Sequence, residues 1–138
     1  MSSVNEETMR RFVDDVLNGR NLASLDELVD PDYVYRAPGE ELRGREGLAA
    51  LLDGYRSAFP DLEIAIDELV SGDDATVLSF TLTGTHRGDL LGHAPTGHRV
   101  RVHGMVRSRF RDGRIVDEWE LIDQLSLLQQ LGLMKMED

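Results

Sequence analysis

One stretch near the carboxyl end combines an aromatic side chain with carboxylates at strand spacing. Residues 114–123 read Arg-Ile-Val-Asp-Glu-Trp-Glu-Leu-Ile-Asp and follow an Asp-Gly pair at 112–113, which is typical of a tight hairpin turn. Because side chains alternate along a strand, Asp117, Trp119 and Asp123 share one face. If that face lines an apolar pocket, burial raises the pKa of a carboxyl group and makes it a usable general acid or base.

The same pattern also fits a strand without chemistry. Trp119 then packs in the core, the two aspartates mark the wet ends of the strand, and the opposite face carries Glu118 and Glu120. The two interpretations differ in what the aspartates contact. A carboxyl group left unpaired inside a closed pocket indicates catalysis, whereas one saturated by an arginine or by backbone donors indicates a structural role.

Histidines on the neighbouring predicted strands are the next candidates. His86 lies on the apolar face of residues 76–87 and is the best-placed partner for a carboxylate, although a lone histidine on such a face is often a core residue. His103 shares its face with several arginines, so it reaches a pocket only if a β-bulge changes the alternation. His93 and His98 have no helical register, and we expect no metal site.

The composition excludes several classes of function. The 138 residues fit one domain, 1–138, and the absence of cysteine excludes disulfides, thiolate metal sites and a thiol nucleophile. A net charge of -11, from 26 acidic and 15 basic residues, repels phosphate, so we expect neither nucleic acid nor an anionic membrane as a partner. No apolar run approaches the ~20 residues of a membrane span, and residues 1–5 lack signal-peptide features. We therefore expect a soluble, cytoplasmic protein.

The candidate residues need a scaffold, and the periodicity of apolar residues predicts one. Helices are predicted at residues 5–18, 22–29 and 46–59, with a terminal turn or helix at 126–131. Strands are predicted at residues 33–36, 62–70, 76–87, 100–110 and 114–123. Residues 88–98 are rich in glycine and should form a loop at the pocket mouth. A block of helices before a block of strands indicates an α+β fold, with N-terminal helices packed on a strongly curved, mostly antiparallel sheet.

Several short motifs in this order resemble a known family. They are Phe-Pro-Asp-Leu at 59–62, Gly-Thr-His-Arg-Gly at 84–88, Pro-Thr-Gly at 95–97, Asp-Gly-Arg-Ile-Val at 112–116 followed by Trp119 and Asp123, and Gln-Leu-Gly at 130–132. Together they are similar to the SnoaL-like polyketide (ester) cyclases of the NTF2-like superfamily, over nearly the whole chain. That resemblance implies a cone-shaped α+β fold with a pocket inside the cone.

The resemblance also implies a reaction. It is an intramolecular aldol ring closure on a hydrophobic polyketide-type ester, by acid/base catalysis without metal or cofactor. Asp123 matches the acidic position after the tryptophan and is the first catalytic candidate, Asp117 is the second and His103 the third. The family's frequent Glu-His-Trp reads Asp-Glu-Trp at 117–119, so that histidine is absent here. Expected substrate contacts are Trp119, His86, Tyr35, Tyr55 and Phe59.

Two alternatives and one partner remain open at this stage. Arg107 with Asp117 or Asp123 is compatible with the Asp-Arg-Asp arrangement of epoxide hydrolases in the same superfamily, and an isomerase is a related option. A non-catalytic domain that binds a small apolar ligand is the other. In every case we expect a homodimer, with the arginine-rich face of residues 100–110 at or near the interface.

Overall fold

The computed structural model describes residues 2–134, and of residues 2–3 it describes the backbone alone. The elements in chain order are α1 (Ser2–Arg11) with a π-helical continuation (Phe12–Asn18), a 3₁₀ turn (Leu22–Ser24), α2 (Leu25–Leu28), β1 (Val29–Ala37), β2 (Glu40–Arg43), α3 (Gly44–Ala58), β3 (Glu63–Ser71), β4 (Ala75–Thr85), β5 (Arg99–Arg111), β6 (Arg114–Ile122) and α4 (Gln124–Gln130). None of these helices is long and apolar enough to cross a membrane.

The strands form one six-stranded sheet in the order β2-β1-β6-β5-β4-β3. All neighbours are antiparallel except β1 and β6, which run parallel. The predicted α+β class and mostly antiparallel sheet are therefore confirmed. Strand β2 was not predicted, because its Glu-Glu-Leu-Arg sequence has a single apolar residue. It pairs with β1 because Gly39, at φ 74°, makes the tight turn between them.

The first helix packs on the inner face of the sheet with the predicted apolar stripe. Its buried residues include Met9, Phe12, Val13 and Val16. The π-helical end carries Asn18, whose side chain exchanges two hydrogen bonds with the backbone of Ile64 on the edge strand β3. Gly19 follows because a Cβ there would lie 2.6 Å from the carbonyl oxygen of Asp15. The predicted helix stop at 18–19 is confirmed, and it fixes the helix against β3.

A β-bulge at Val116 decides which side chains of β6 point inward. Arg109 pairs with Asp117 and Phe110 pairs with Ile115, so Val116 is an extra residue without a partner on β5. The extra residue reverses the alternation. Side chains at odd positions point inward before the bulge and outward after it.

Candidate active site

A cavity lies between the inner face of the sheet and the helices. Its apolar lining is formed by Met9, Phe12, Leu17, Leu48, Leu51, Leu52, Leu62, Ile64, Leu78, Phe80, Leu82, Val106 and Ile122. Its polar lining consists of Tyr35, Tyr55, Glu118 and Glu120. Its volume is about 80 Å³, whereas one water needs ~10–15 Å³. The cavity is thus a small apolar chamber with two carboxyl groups and two phenols in its wall.

Glu120 combines a hydrogen-bond anchor with a free oxygen. Strand β6 carries it opposite Val106, and the Tyr35 hydroxyl on β1 donates to its Oε1 at 2.5 Å. Within residues 2–134 its other oxygen accepts no hydrogen bond, and the residue lines the cavity. Burial raises the pKa of Glu120 to about 7, helped by repulsion from Glu118 and Glu40 and opposed by the Tyr35 hydrogen bond. A carboxyl group in this state accepts and returns a proton near neutral pH.

Glu118 lies deeper and is saturated. It is 4% exposed, the Tyr33 hydroxyl donates to its Oε1 at 2.6 Å, and the Ser108 hydroxyl donates to its Oε2. Burial raises the pKa of Glu118, while the two hydroxyl donors act in the opposite direction. Both oxygens are therefore occupied, which separates Glu118 from Glu120 although they share the inner face of one strand.

Two of the expected substrate contacts do line the cavity. Tyr35 does so while holding Glu120, and Tyr55 does so from α3. Burial, and then repulsion from Glu120 and Glu40, raises the pKa of Tyr55 to about 12, so its hydroxyl keeps its proton at neutral pH. Its oxygen makes no hydrogen bond with the described part of the chain, so the hydroxyl is available to a ligand.

Phe59 and His86 lie in the core next to the cavity and do not line it. Phe59 is fully buried and packs on Gly84. A Cβ added to Gly84 would lie 3.0 Å from the Cβ of Phe59. The His86 ring is 5.7 Å from the Phe59 ring, and its Nδ1 accepts the backbone N–H of Thr96 at 3.2 Å. Their expected contact with substrate is corrected, because both side chains are fully buried in the core, where His86 also holds Thr96 of the 88–98 loop.

That loop is anchored at its base. The carbonyl of Ala58 accepts the N–H groups of Arg87 and Gly88, at 2.9 and 3.1 Å, and a Cβ on Gly88 would lie 1.9 Å from the carbonyl oxygen of Ser57. None of residues 88–98 lines the cavity. The loop is present as predicted, and its base is fixed to the end of α3 rather than to the cavity wall.

The face of β6 that carries Trp119 is the outer face of the sheet, not the pocket wall. Trp119 is 45% exposed, Asp117 pairs with Arg107 at 2.8 Å, and Asp123 caps α4 by accepting the N–H of Ser126 at 3.0 Å. None of these three candidates lines the interior cavity, because the bulge at Val116 reverses the alternation; Asp123 lies instead beside an open groove on the outer face. Asp117 is held by an arginine and Asp123 by a backbone N–H, and neither lies inside the cavity, which together indicate a structural role. The Arg107–Asp117 pair of the epoxide hydrolase alternative also lies outside the cavity, so an epoxide bound in the cavity would not contact it.

His103 also lies on the outer face, as the alternation of β5 predicted. Its Nδ1 is 3.1 Å from the Thr81 hydroxyl, which donates to Asp67 at 2.6 Å. The side chain is exposed and does not line the cavity. No three histidine, aspartate or glutamate side chains of residues 2–134 come close enough together to hold a metal ion.

The residues that the sequence did not single out are Glu118 and Glu120. The alternation of β6 placed both glutamates on one face, but the opposite face, which carries Trp119, was predicted to line the pocket. A usable signal was present in β1, where Tyr33 and Tyr35 alternate like the two glutamates and can donate to them from a neighbouring strand. Pairing of β1 with β6, 85 residues apart at these contacts, was not readable from the spacing.

The comparisons with known proteins agree with this architecture. A family model described as SnoaL-like polyketide cyclase matches residues 7–131. The chain is 31% identical over 110 residues to the aklanonic acid methyl ester cyclase DauD of Streptomyces sp. (strain C5), covering 78% of this chain and 66%, just under two thirds, of DauD. It superposes with a TM-score of 0.88 on AclR of Streptomyces galilaeus, a proposed hydroxylase, at 28% identity over 100% of this chain and 91% of AclR. TsrD of Streptomyces laurentii gives a TM-score of 0.87 at 30% identity, over 96% of this chain and 97% of TsrD.

The predicted resemblance and the NTF2-like fold that it implied are confirmed by these matches. The chain belongs to the SnoaL-like polyketide cyclase family.

Proposed function

We propose that this protein closes a ring in a hydrophobic polyketide-type ester by an intramolecular aldol reaction, with Glu120 as the acid/base. The observation that carries the proposal is the state of Glu120 in the cavity. Burial raises its pKa to about 7, the Tyr35 hydroxyl donates to one of its oxygens, and the other accepts no hydrogen bond within residues 2–134 beside a mainly apolar cavity. A carbon acid flanked by carbonyl groups needs such a base, whereas an exposed carboxylate with a pKa of ~4 is too weak.

The reaction uses the same carboxyl group twice. Glu120 first removes the proton from the carbon between two carbonyls, which leaves an enolate. The enolate carbon attacks a second carbonyl of the same molecule, a carbon–carbon bond forms, and the electron pair of that carbonyl moves to its oxygen. The oxygen then takes the proton back from Glu120. The product is an isomer of the substrate, and no oxidant or other reagent is consumed.

Tyr55 supplies the donor that an enolate needs. Its hydroxyl is protonated at neutral pH and is free of protein partners in the described chain. A hydrogen bond to the substrate carbonyl oxygen strengthens as negative charge develops on that oxygen, and the apolar walls keep water from weakening it. Tyr35 has a different task, because its hydroxyl is already donated to Glu120.

The experiment uses aklanonic acid methyl ester, the compound named for DauD, and follows the product by mass spectrometry. Wild-type protein should give a product of unchanged mass. Glu120→Gln should lower turnover by roughly 10²- to 10⁴-fold, while the matched control Asp123→Asn, on the outer face, should keep it. Asparagine is also a good N-cap, so the control preserves α4.

Other outcomes would replace the proposal. A product heavier by one oxygen atom would indicate hydroxylation, the activity proposed for AclR. Binding of the ester without any conversion would favour the non-catalytic ligand-binding alternative. Equal turnover by wild type and Glu120→Gln would remove Glu120 from the mechanism.

We also infer that two copies pair through the outer face of the sheet. That face exposes Met105, Trp119 and Leu121, a cluster of large apolar side chains without cover. It carries acidic residues on β3 (Glu63, Asp67 and Glu68) and arginines on β5 (Arg99, Arg101, Arg107 and Arg109), with β4 between them. A two-fold axis near β4 brings the acidic strand of each copy opposite the basic strand of the other, so the surface is complementary to itself.

Sedimentation velocity at micromolar concentration tests this inference. Wild-type protein should sediment as a dimer and Met105→Asp as a monomer, because a carboxylate replaces an exposed apolar side chain on β5, the strand next to the proposed two-fold axis. Asp53→Asn, on α3, serves as a surface control and should leave the dimer intact. A wild-type monomer at that concentration would contradict the inference.

A further inference from the structure

Glu118 has no task in the reaction described above, although it is the most buried carboxyl group beside the site. It precedes Glu120 by two positions on β6, and both residues line the cavity. Two residues along a strand span ~6.6 Å, so the two carboxyl groups lie within Coulombic reach of each other. Glu118 is shielded from water, and its charge is therefore weakly screened.

The hydrogen bonds around Glu118 favour its ionised form. The hydroxyls of Tyr33 and Ser108 both donate to it, and a carboxylate satisfies both donors with its two oxygens. A protonated Glu118 would bring its own proton against one of these hydroxyls, which would then need another acceptor. Glu120 has one donor in place of two, and within residues 2–134 its other oxygen accepts no hydrogen bond. The first negative charge of the pair is thus better placed at Glu118.

We propose that Glu118 is a positioning residue whose buried charge, held by Tyr33 and Ser108, sets the pH at which Glu120 takes up and releases its proton. This inference rests on the proposed function insofar as Glu120 is the acid/base. Glu118 itself does not reach the substrate proton, because both its oxygens are occupied. Its effect on catalysis passes through Glu120.

The other charged and titratable groups near the pair act differently. Glu120 is faced by Tyr35 from β1, Tyr55 from α3 and Glu40 from β2. Glu118 is faced by Tyr33, and the Asp117–Arg107 ion pair lies behind it on the outer face, where the two charges largely cancel. Within residues 2–134, Glu40 is the other carboxylate that faces Glu120, and it is exposed. Dissolved salt screens Glu40 far more than Glu118, which gives a way to separate their effects.

The test follows the side-chain carboxyl carbons of both glutamates by ¹³C NMR titration of the protein without substrate. In wild type, Glu118 should lose its proton at a lower pH than Glu120. In Glu118→Gln, the midpoint of Glu120 should fall by roughly 1 to 2 pH units, as two unit charges ~7 Å apart predict for an effective dielectric constant of ~20. In 0.5 M salt the Debye length is about 4 Å. The shift caused by Glu118→Gln should persist there, because Glu118 is buried, whereas any shift caused by the control Glu40→Gln should shrink.

The acid limb of the kcat/KM profile should move with the Glu120 midpoint, which a purely structural Glu118 would not cause. An unchanged Glu120 midpoint in folded Glu118→Gln would overturn the inference. So would a wild-type titration in which Glu118 keeps its proton above the midpoint of Glu120, and that measurement needs no variant at Glu118. Failure of the proposed function looks different, because the NMR midpoints would shift as stated while no ester is converted.

Discussion

Replacing Glu120 by glutamine should change how the stability of the protein depends on pH. The pKa of Glu120 is raised from 4.5 to about 7 in the folded protein by burial. In the unfolded chain the group returns to its ordinary value, so the folded state binds more protons between these two pH values. The contribution of protonated Glu120 to the free energy of unfolding is therefore complete below pH ~4.5 and is lost as the pH rises through ~7. Glu120→Gln cannot titrate and should not show this loss.

The magnitude follows from the difference between the two pKa values. At ~1.36 kcal/mol per pH unit, the rise in pKa from 4.5 to about 7 corresponds to about 3 kcal/mol of unfolding free energy. This is an upper value for Glu120, because Glu118 and Glu120 interact and part of the free energy belongs to the pair. Relative to wild type, Glu120→Gln should therefore gain about 3 kcal/mol of unfolding free energy between pH ~4.5 and ~8. The hydrogen bond from Tyr35 is retained, since the amide oxygen also accepts it.

Urea denaturation at several pH values measures this difference. A suitable control is Leu82→Val in the cavity wall, which should lower stability by about 1 kcal/mol equally at every pH, because no charge is changed. If the free-energy difference between wild type and Glu120→Gln stays constant from pH 4.5 to 8, Glu120 does not have a raised pKa. Glu120 would then be ionised throughout this pH range and could not act as the acid/base near neutral pH.

Three other substitutions test separate parts of the site. Tyr35→Phe removes the donor that stabilises ionised Glu120, so the pKa of Glu120 should rise further and the acid limb of kcat/KM should move to higher pH; an unmoved limb would contradict that role. Tyr55→Phe should lower kcat by roughly 10- to 100-fold with KM little changed, because the hydroxyl acts on developing charge, and an effect confined to KM would instead make Tyr55 a ground-state contact. Asp123→Ala should cost about 1 kcal/mol of stability through loss of the α4 cap, as measured by urea unfolding, with turnover retained; a loss of turnover without loss of stability would return Asp123 to the list of catalytic residues.

Much of the scaffold was readable from the chain alone. The helical stripe through Met9 and Val16 and the strict alternation of β5 are local patterns, and each is set by one period of its own element. The alternation of β5 also placed His103 on the outer face correctly. The family motifs identified the fold and the family, because they mark turns and helix ends that recur at fixed distances in this architecture.

The position of the site was decided by tertiary structure. Buried Ile115 and exposed Trp119 are both at odd positions of β6, and only the unpaired residue Val116 between them explains why they point to opposite faces. A bulge depends on how two strands pair, so it has no period that a single strand can reveal. Hydrophobicity alone also predicts the wrong orientation of β6, because this strand turns its glutamates inward and its tryptophan outward.

That inversion is stable because distant partners complete it. Inside, Tyr33 and Tyr35 arrive from β1 and donate to Glu118 and Glu120, so buried carboxyl groups that would be costly alone have hydrogen bonds. The sequence by itself determined that one face of this strand carries carboxylates beside apolar residues and that the chain has the fold to enclose a pocket. Which carboxylates enter the pocket depended on strand pairing across the sheet, since only pairing brings a tyrosine 85 residues away within hydrogen-bond distance.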